Sequence, residues 1–281
     1  MFPVMTSDLE DAITGTAAGV PFVALPPVGT GPAGSGRAPM IAAWHPTAAP
    51  GSPAAMAAAI PLPDVPAWRV YFGLPGTGSR LATGEAAGRG EDWDLLLDGY
   101  APMIEQAAAE FPAARAALRS DLPIDDGPIA IMGGSAGGHV ALLVLTGGTV
   151  PVAAAALINP AVRAESVVLV NEGFHDFSYQ WTGKARTKAA ALDTVAAADA
   201  VLAAVLLVTG EHEYPEFRPD QDALLAALGG PVRHLTVPGM RHEFAVSPGL
   251  EPAPQTPHAV AAEHAISAWL TEHFTGRGEA G

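Results

Sequence analysis

The sequence predicts an α/β architecture, with one mainly parallel sheet covered by helices on both faces. Short apolar runs alternate with longer helical stretches along most of the chain, which is the pattern of strands joined by helical crossovers. The glycine-rich and polar clusters fall just after several of those runs, where parallel sheets collect chemistry at the carboxyl ends of their strands. The chain has 281 residues, 49% of them hydrophobic and 15% charged, so it can fill a substantial core. A single domain over 1–281 is expected.

Residues 20–25 and 39–44 are short apolar runs closed by proline, and both read as strands. Between them, Gly29-Thr30-Gly31-Pro32-Ala33-Gly34 fits the spacing G-x-G-x-x-G. No amphipathic helix follows it, and Pro32 sits where a phosphate-binding turn needs freedom, so it reads as a loop. An alanine-rich helix is expected over 54–59 and a strand over 68–72, where large apolar and polar residues alternate. Residues 92–119 carry apolar positions at helical spacing, with Pro102 and Pro112 as breaks or first-turn positions. A strand at 129–132, a helix at 136–145 and a strand at 152–158 form a βαβ unit. Further on, strands at 204–208 and 232–237 flank a helix at 221–228. An amphipathic helix at 258–274 closes the chain ahead of a loose glycine-rich tail.

Charge and composition exclude several functions. The formal net charge is −15, from 14 Lys plus Arg against 29 Asp plus Glu, and no basic stripe is present to neutralise phosphates. Nucleic acid is therefore not expected as a partner. The absence of cysteine excludes disulfides, thiolate metal sites and a cysteine nucleophile. Residues 1–16 include Asp8, Glu10 and Asp11 and lack the basic start and apolar run of a secretion signal, so a cytoplasmic location is expected. The longest apolar stretches, such as 195–208 with its Asp199, fall short of the ~20 residues that span a bilayer, so no membrane segment is expected.

A serine hydroxyl attacks only when a base takes its proton, and a tight strand-to-helix turn exposes the oxygen beside free backbone N–H groups. Such a turn needs small neighbours. Gly133-Gly134-Ser135-Ala136-Gly137 supplies them, with a predicted strand before and a predicted helix after. Among nine histidines, His242 lies in the loop between the last strand and the last helix, so it is the expected base. The orienting carboxylate should follow the preceding strand, where Thr209-Gly210-Glu211-His212-Glu213-Tyr214 offers two. Glu213 is preferred, with Glu211 and Asp220 as alternatives. Glu211, His212, Glu213 and Glu216 resemble a metal cluster in composition only, because Pro215 prevents a regular helical ligand spacing. No metal and no cofactor are expected.

Taken in order, Gly133 to His139, Gly210 to Glu213 and Gly239 to Phe244 resemble the serine α/β-hydrolase superfamily, in its esterase and prolyl-oligopeptidase-like branches. The resemblance covers roughly residues 20 to 275 and implies an α/β-hydrolase fold. The chain departs from the family's first oxyanion loop, where His-Gly is usual and Trp44-His45-Pro46-Thr47 stands here. Pro46 cannot donate a hydrogen bond, so the resemblance implies the N–H groups of Thr47 and Ala136 as oxyanion donors. Residues 161–203 exceed a simple crossover and resemble the cap that many relatives place over the serine. Of the aromatics gathered there, Tyr179 and Trp181 are expected at the substrate. The implied activity is hydrolysis of a carboxylic ester on a small-molecule acyl substrate. A small-peptide or aminoacyl peptidase and a thioesterase are alternatives on the same residues, and a non-catalytic ligand-binding protein is one from a different class.

Overall fold

A computed structural model describes residues 9–27, 36–81 and 92–274. The glycine-rich loop 29–34 and the terminal tail expected from the sequence lie outside them.

Eight strands form one sheet. They are β1 (Ile13–Ala17), β2 (Val20–Leu25), β3 (Met40–Trp44), β4 (Trp68–Phe72), β5 (Ile129–Gly134), β6 (Val152–Ile158), β7 (Ala204–His212) and β8 (Val232–Arg241). Their spatial order is β1-β2-β4-β3-β5-β6-β7-β8. β2 runs antiparallel to β1 and β4, and every other pairing is parallel. The helices are α1 (Pro53–Ala59), α2 (Ala101–Asp121), α3 (Ala136–Gly147), α4 (Ala164–His175), α5 (Gly183–Ala191), α6 (Arg218–Ala227) and α7 (Pro257–His273).

The central strands are buried on both faces, which is why they read as continuous apolar runs. Ala42, Trp44, Ile131 and Leu157 point to one layer, with Ile104 and Phe111 of α2 and Val140 and Val144 of α3. Ile41, Ala43, Met132 and Ala156 point to the other, with Met56 of α1 and Ile266 and Trp269 of α7. Trp44, Phe72 and Phe111 pack ring on ring at centroid distances of 5.0 to 5.7 Å. This cluster locks α2 to β3, the strand that leads into the loop of His45 and Pro46, and each such ring contributes about 1.5–3 kcal/mol by burial.

Three differences from the sequence reading have physical causes. β1 is an edge strand with four of its five residues exposed, so it carries no apolar run to betray it. α2 passes through Pro112 without ending, and Pro102 sits in its first turn. The buried face of Ile104, Phe111, Ala114 and Leu118 offsets the single hydrogen bond lost at Pro112. β7 and β8 run on to His212 and Arg241, which pair with each other past a bulge. Pro238 is tolerated there because β8 is an edge strand and half its N–H groups face away from the sheet.

Candidate active site

Ser135 stands between β5 and α3 with φ 50° and ψ −119°, a conformation that L residues rarely adopt. Its neighbours make that turn sterically possible. A Cβ on Gly133 would overlap the Gly137 carbonyl, and one on Gly137 would overlap the carbonyls of Trp44 and His45. The Ser135 N–H donates to Ile158 O, and its carbonyl accepts from the N–H groups of His139 and Ala161, each at 3.1 Å. The strained turn is thus tied to β6, to α3 and to the chain leaving β6.

Across the carboxyl ends of β5, β7 and β8, three side chains join in one hydrogen-bonded line. Ser135 Oγ donates to His242 Nε2 at 2.8 Å, and His242 Nδ1 donates to Glu213 Oε1 at 2.8 Å. All three are buried, at 7%, 6% and 4% exposure. Glu213 Oε1 also accepts the Tyr214 N–H at 2.6 Å. The two alternative carboxylates are occupied elsewhere. Glu211 Oε2 accepts the Gly239 N–H at 2.8 Å, and Asp220 meets Arg163 at 2.7 Å. Glu213 alone of the three faces the imidazole.

Three residues that the sequence reading did not single out surround this line. Asn159 directly follows β6 with φ 44°, a left-handed conformation that asparagine tolerates better than most residues. Its Oδ1 accepts the Gly210 N–H at 2.7 Å, and its Nδ2 donates to the carbonyls of Arg241 and His242 at 2.9 and 3.0 Å. One buried amide therefore ties the end of β7, ahead of Glu213, to the end of β8, ahead of Phe244, at Arg241 and His242. Tyr214 lies flat on His242, with ring centroids 4.5 Å apart and planes 25° apart. Phe217 closes on the same imidazole at 5.4 Å. Asn159 stands at a strand end before a proline, which is the one signal in the sequence that marks it.

Ala136 is buried at the first position of α3, where an N–H has no partner within the helix. The loop after β3 is fixed by buried His45, whose Nδ1 donates to Pro46 O at 2.6 Å and whose Nε2 accepts the Leu74 N–H at 3.2 Å. Burial lowers the His45 pKa to about 4, so the ring stays neutral and keeps its acceptor. The Pro46 ring lies against the elbow, 2.9 Å from where a Gly134 Cβ would sit, and Thr47 follows it on the surface. His139, directly after the elbow, is also held neutral by burial, with a pKa lowered to about 4. It accepts from the Tyr100 hydroxyl at 2.8 Å and donates to Leu192 O at 3.0 Å.

Residues 161–203 fold as α4, α5 and a short 3₁₀ helix. Tyr179 donates its hydroxyl to Asp94 at 2.7 Å and packs edge-on to Trp181 at 4.9 Å, while Arg186 covers the Trp181 ring. These contacts fasten the segment to the turn that precedes α2. Phe174 is the aromatic of this segment that reaches Tyr214, at 5.4 Å. Among the described residues no cluster of three His, Cys, Asp or Glu side chains could hold a metal ion, and no helix is long and apolar enough to cross a membrane.

No protein-family model matches the sequence, and no curated protein matches it. Solved structures do. An acetyl xylan esterase from Paenibacillus sp. R4 aligns with 97% of this chain and 88% of its own, with a TM-score of 0.68 at 16% identity. TT1662 from Thermus thermophilus aligns over 92% of this chain and 97% of its own, with a TM-score of 0.62 at 14% identity. A puromycin-hydrolyzing peptidase from Mycobacterium tuberculosis matches 94% of this chain with a TM-score of 0.68 at 20% identity, and the chain spans 40% of that longer protein. With its strand order and its strained serine turn between β5 and α3, the chain has the α/β-hydrolase fold.

Proposed function

We propose that this protein is a serine hydrolase that cleaves a carboxylic ester of a small molecule through an acyl-enzyme, with Ser135 as nucleophile, His242 as base and Glu213 as its orienting acid. The observation that carries the reading is the buried, unbroken hydrogen-bonded line from Glu213 through His242 to Ser135. The Glu213 carboxylate fixes the tautomer that leaves Nε2 free to accept a proton. His242 takes the Ser135 proton as Oγ attacks the carbonyl carbon, and the oxyanion turns toward the N–H groups of Ala136 and Thr47. The imidazolium then gives its proton to the departing oxygen, and the acyl group stays on Ser135. Water, deprotonated by the same imidazole, releases the acid and restores the serine. The segment 161–203 serves as a small cap over this site.

An esterase and a peptidase both stand among the structural neighbours, so an aminoacyl peptidase on the same residues is the second reading. One purified sample tested on p-nitrophenyl acetate, alanine p-nitroanilide and an acetyl thioester separates them. The ester is expected to be turned over fastest, and Ser135→Ala is expected to lower kcat by about 10⁶-fold while the fold is kept. A faster anilide would move the assignment to a peptidase. Ester turnover that survives Ser135→Ala above a few per cent would remove the serine from its role.

A further inference from the structure

The site continues outward in one direction as a row of rings. Tyr214 lies flat on His242, Phe217 packs behind both, and Phe174 at the end of α4 stands edge-on to Tyr214 at 5.4 Å and 77°. Phe217 is buried and Tyr214 half-buried, whereas Phe174 is 62% exposed although it is a large apolar side chain packed on Tyr214. The row therefore starts inside the site and ends in solvent, with ring surface offered along its length.

Chemistry decides which part of a substrate meets this row. In acyl transfer the imidazolium hands its proton to the departing atom, so the leaving group must lie beside His242. The acyl group is held on the other side, by Ser135 and the N–H groups of the oxyanion site. A wall that begins at the imidazole borders the leaving group. Its electrostatic character is also readable: burial raises the Tyr214 hydroxyl pKa, and the carboxylates of Glu243, Glu213 and Glu216 act on it in the same direction. Negative potential at the wall disfavours an anionic occupant.

We propose that Tyr214 and Phe174 form a leaving-group subsite that selects an uncharged aromatic alcohol over an aliphatic or an anionic one. The proposal rests on the assignment of Ser135 and His242 above. Stacked and edge-on ring pairs supply preference beyond simple burial, enough for about a tenfold effect on kcat/KM.

The test compares esters that share the acetyl group and differ in the alcohol: benzyl acetate, ethyl acetate and 4-carboxybenzyl acetate, with ethyl phenylacetate as the acyl-side control. Benzyl acetate is expected to exceed ethyl acetate about tenfold in kcat/KM, and the carboxylate is expected to cancel that advantage. In Phe174→Ala the benzyl-to-ethyl ratio is expected to fall five- to tenfold, mainly through KM, while the phenylacetate-to-acetate ratio for ethyl esters stays within twofold. Phe174 is mostly exposed, so the variant keeps its fold, which circular dichroism checks. A benzyl-to-ethyl ratio that Phe174→Ala leaves untouched overturns the subsite. A loss confined to the phenylacetyl ester places the wall on the acyl side and overturns it equally. If Ser135→Ala does not stop hydrolysis of these esters, the catalytic assignment fails first, and the proposal fails with it.

Discussion

Acidification from pH 6.5 to 5 is expected to remove about 3 kcal/mol of folding stability through two buried histidines that lie outside the Ser135–His242–Glu213 line. His45 and His139 are 1% and 0% exposed, and burial lowers each from the ordinary 6.5 to about 4. Both rings use one nitrogen as an acceptor, from the Leu74 N–H in one case and the Tyr100 hydroxyl in the other, and protonation would destroy that bond. Because the folded pKa lies below the unfolded one, the unfolded chain binds protons first as pH falls. Each histidine therefore contributes its full stabilisation above pH 6.5 and loses it between 6.5 and about 4. Between pH 6.5 and 5 the two linkages together amount to about 3 kcal/mol, shared equally. Urea unfolding followed by tryptophan fluorescence at the two pH values reads the sum, and His139→Gln should halve the drop. A drop below about 1 kcal/mol, or one that His139→Gln leaves unchanged, would refute the reasoning.

The acid and its support give two further predictions. Glu213→Gln is expected to lower kcat by ~10²–10⁴, because an amide holds the imidazole without stabilising the imidazolium, whereas Glu211→Gln should cost far less since its carboxylate caps the Gly239 N–H. Steady-state kinetics on an activated acetate ester rank the two, and the reverse order would move the role to Glu211. Asn159→Asp keeps the acceptor for Gly210 but turns an oxygen toward the carbonyls of Arg241 and His242. It is expected to lower stability by about 3 kcal/mol and kcat by more than tenfold, read by denaturation and kinetics; a variant with unchanged kcat would deny Asn159 its positioning role.

The serine turn was legible in the sequence because part of its constraint is local: a Cβ on Gly133 would overlap the Gly137 carbonyl four positions on, and the strand before and helix after mark the setting, whereas Gly137 is demanded by the distant carbonyls of Trp44 and His45. The choice between Glu211 and Glu213 was not, since it depends on the bulge after Gly210 that sets which side chains of the β7 end face the imidazole. Asn159 was opaque for another reason. Its partners are backbone groups 51, 82 and 83 residues away, and backbone groups leave no mark on sequence. In the segment 161–203 the clustered aromatics were visible but their directions were not. α4 ends at Asp176 in a left-handed turn, which leaves Phe174 near Tyr214 and carries Tyr179 and Trp181 toward Asp94. β1 was missed because an exposed edge strand needs no apolar pattern.

The most direct measurement is covalent labelling with a fluorophosphonate, which reacts only with a serine whose proton has a base to go to. Intact mass spectrometry is expected to show one adduct per chain, mapped by peptide analysis to Ser135, and His242→Ala should slow its formation by orders of magnitude. A chain that stays unlabelled, or one that labels as readily after Ser135→Ala, would contradict the assignment of Ser135 as an activated nucleophile.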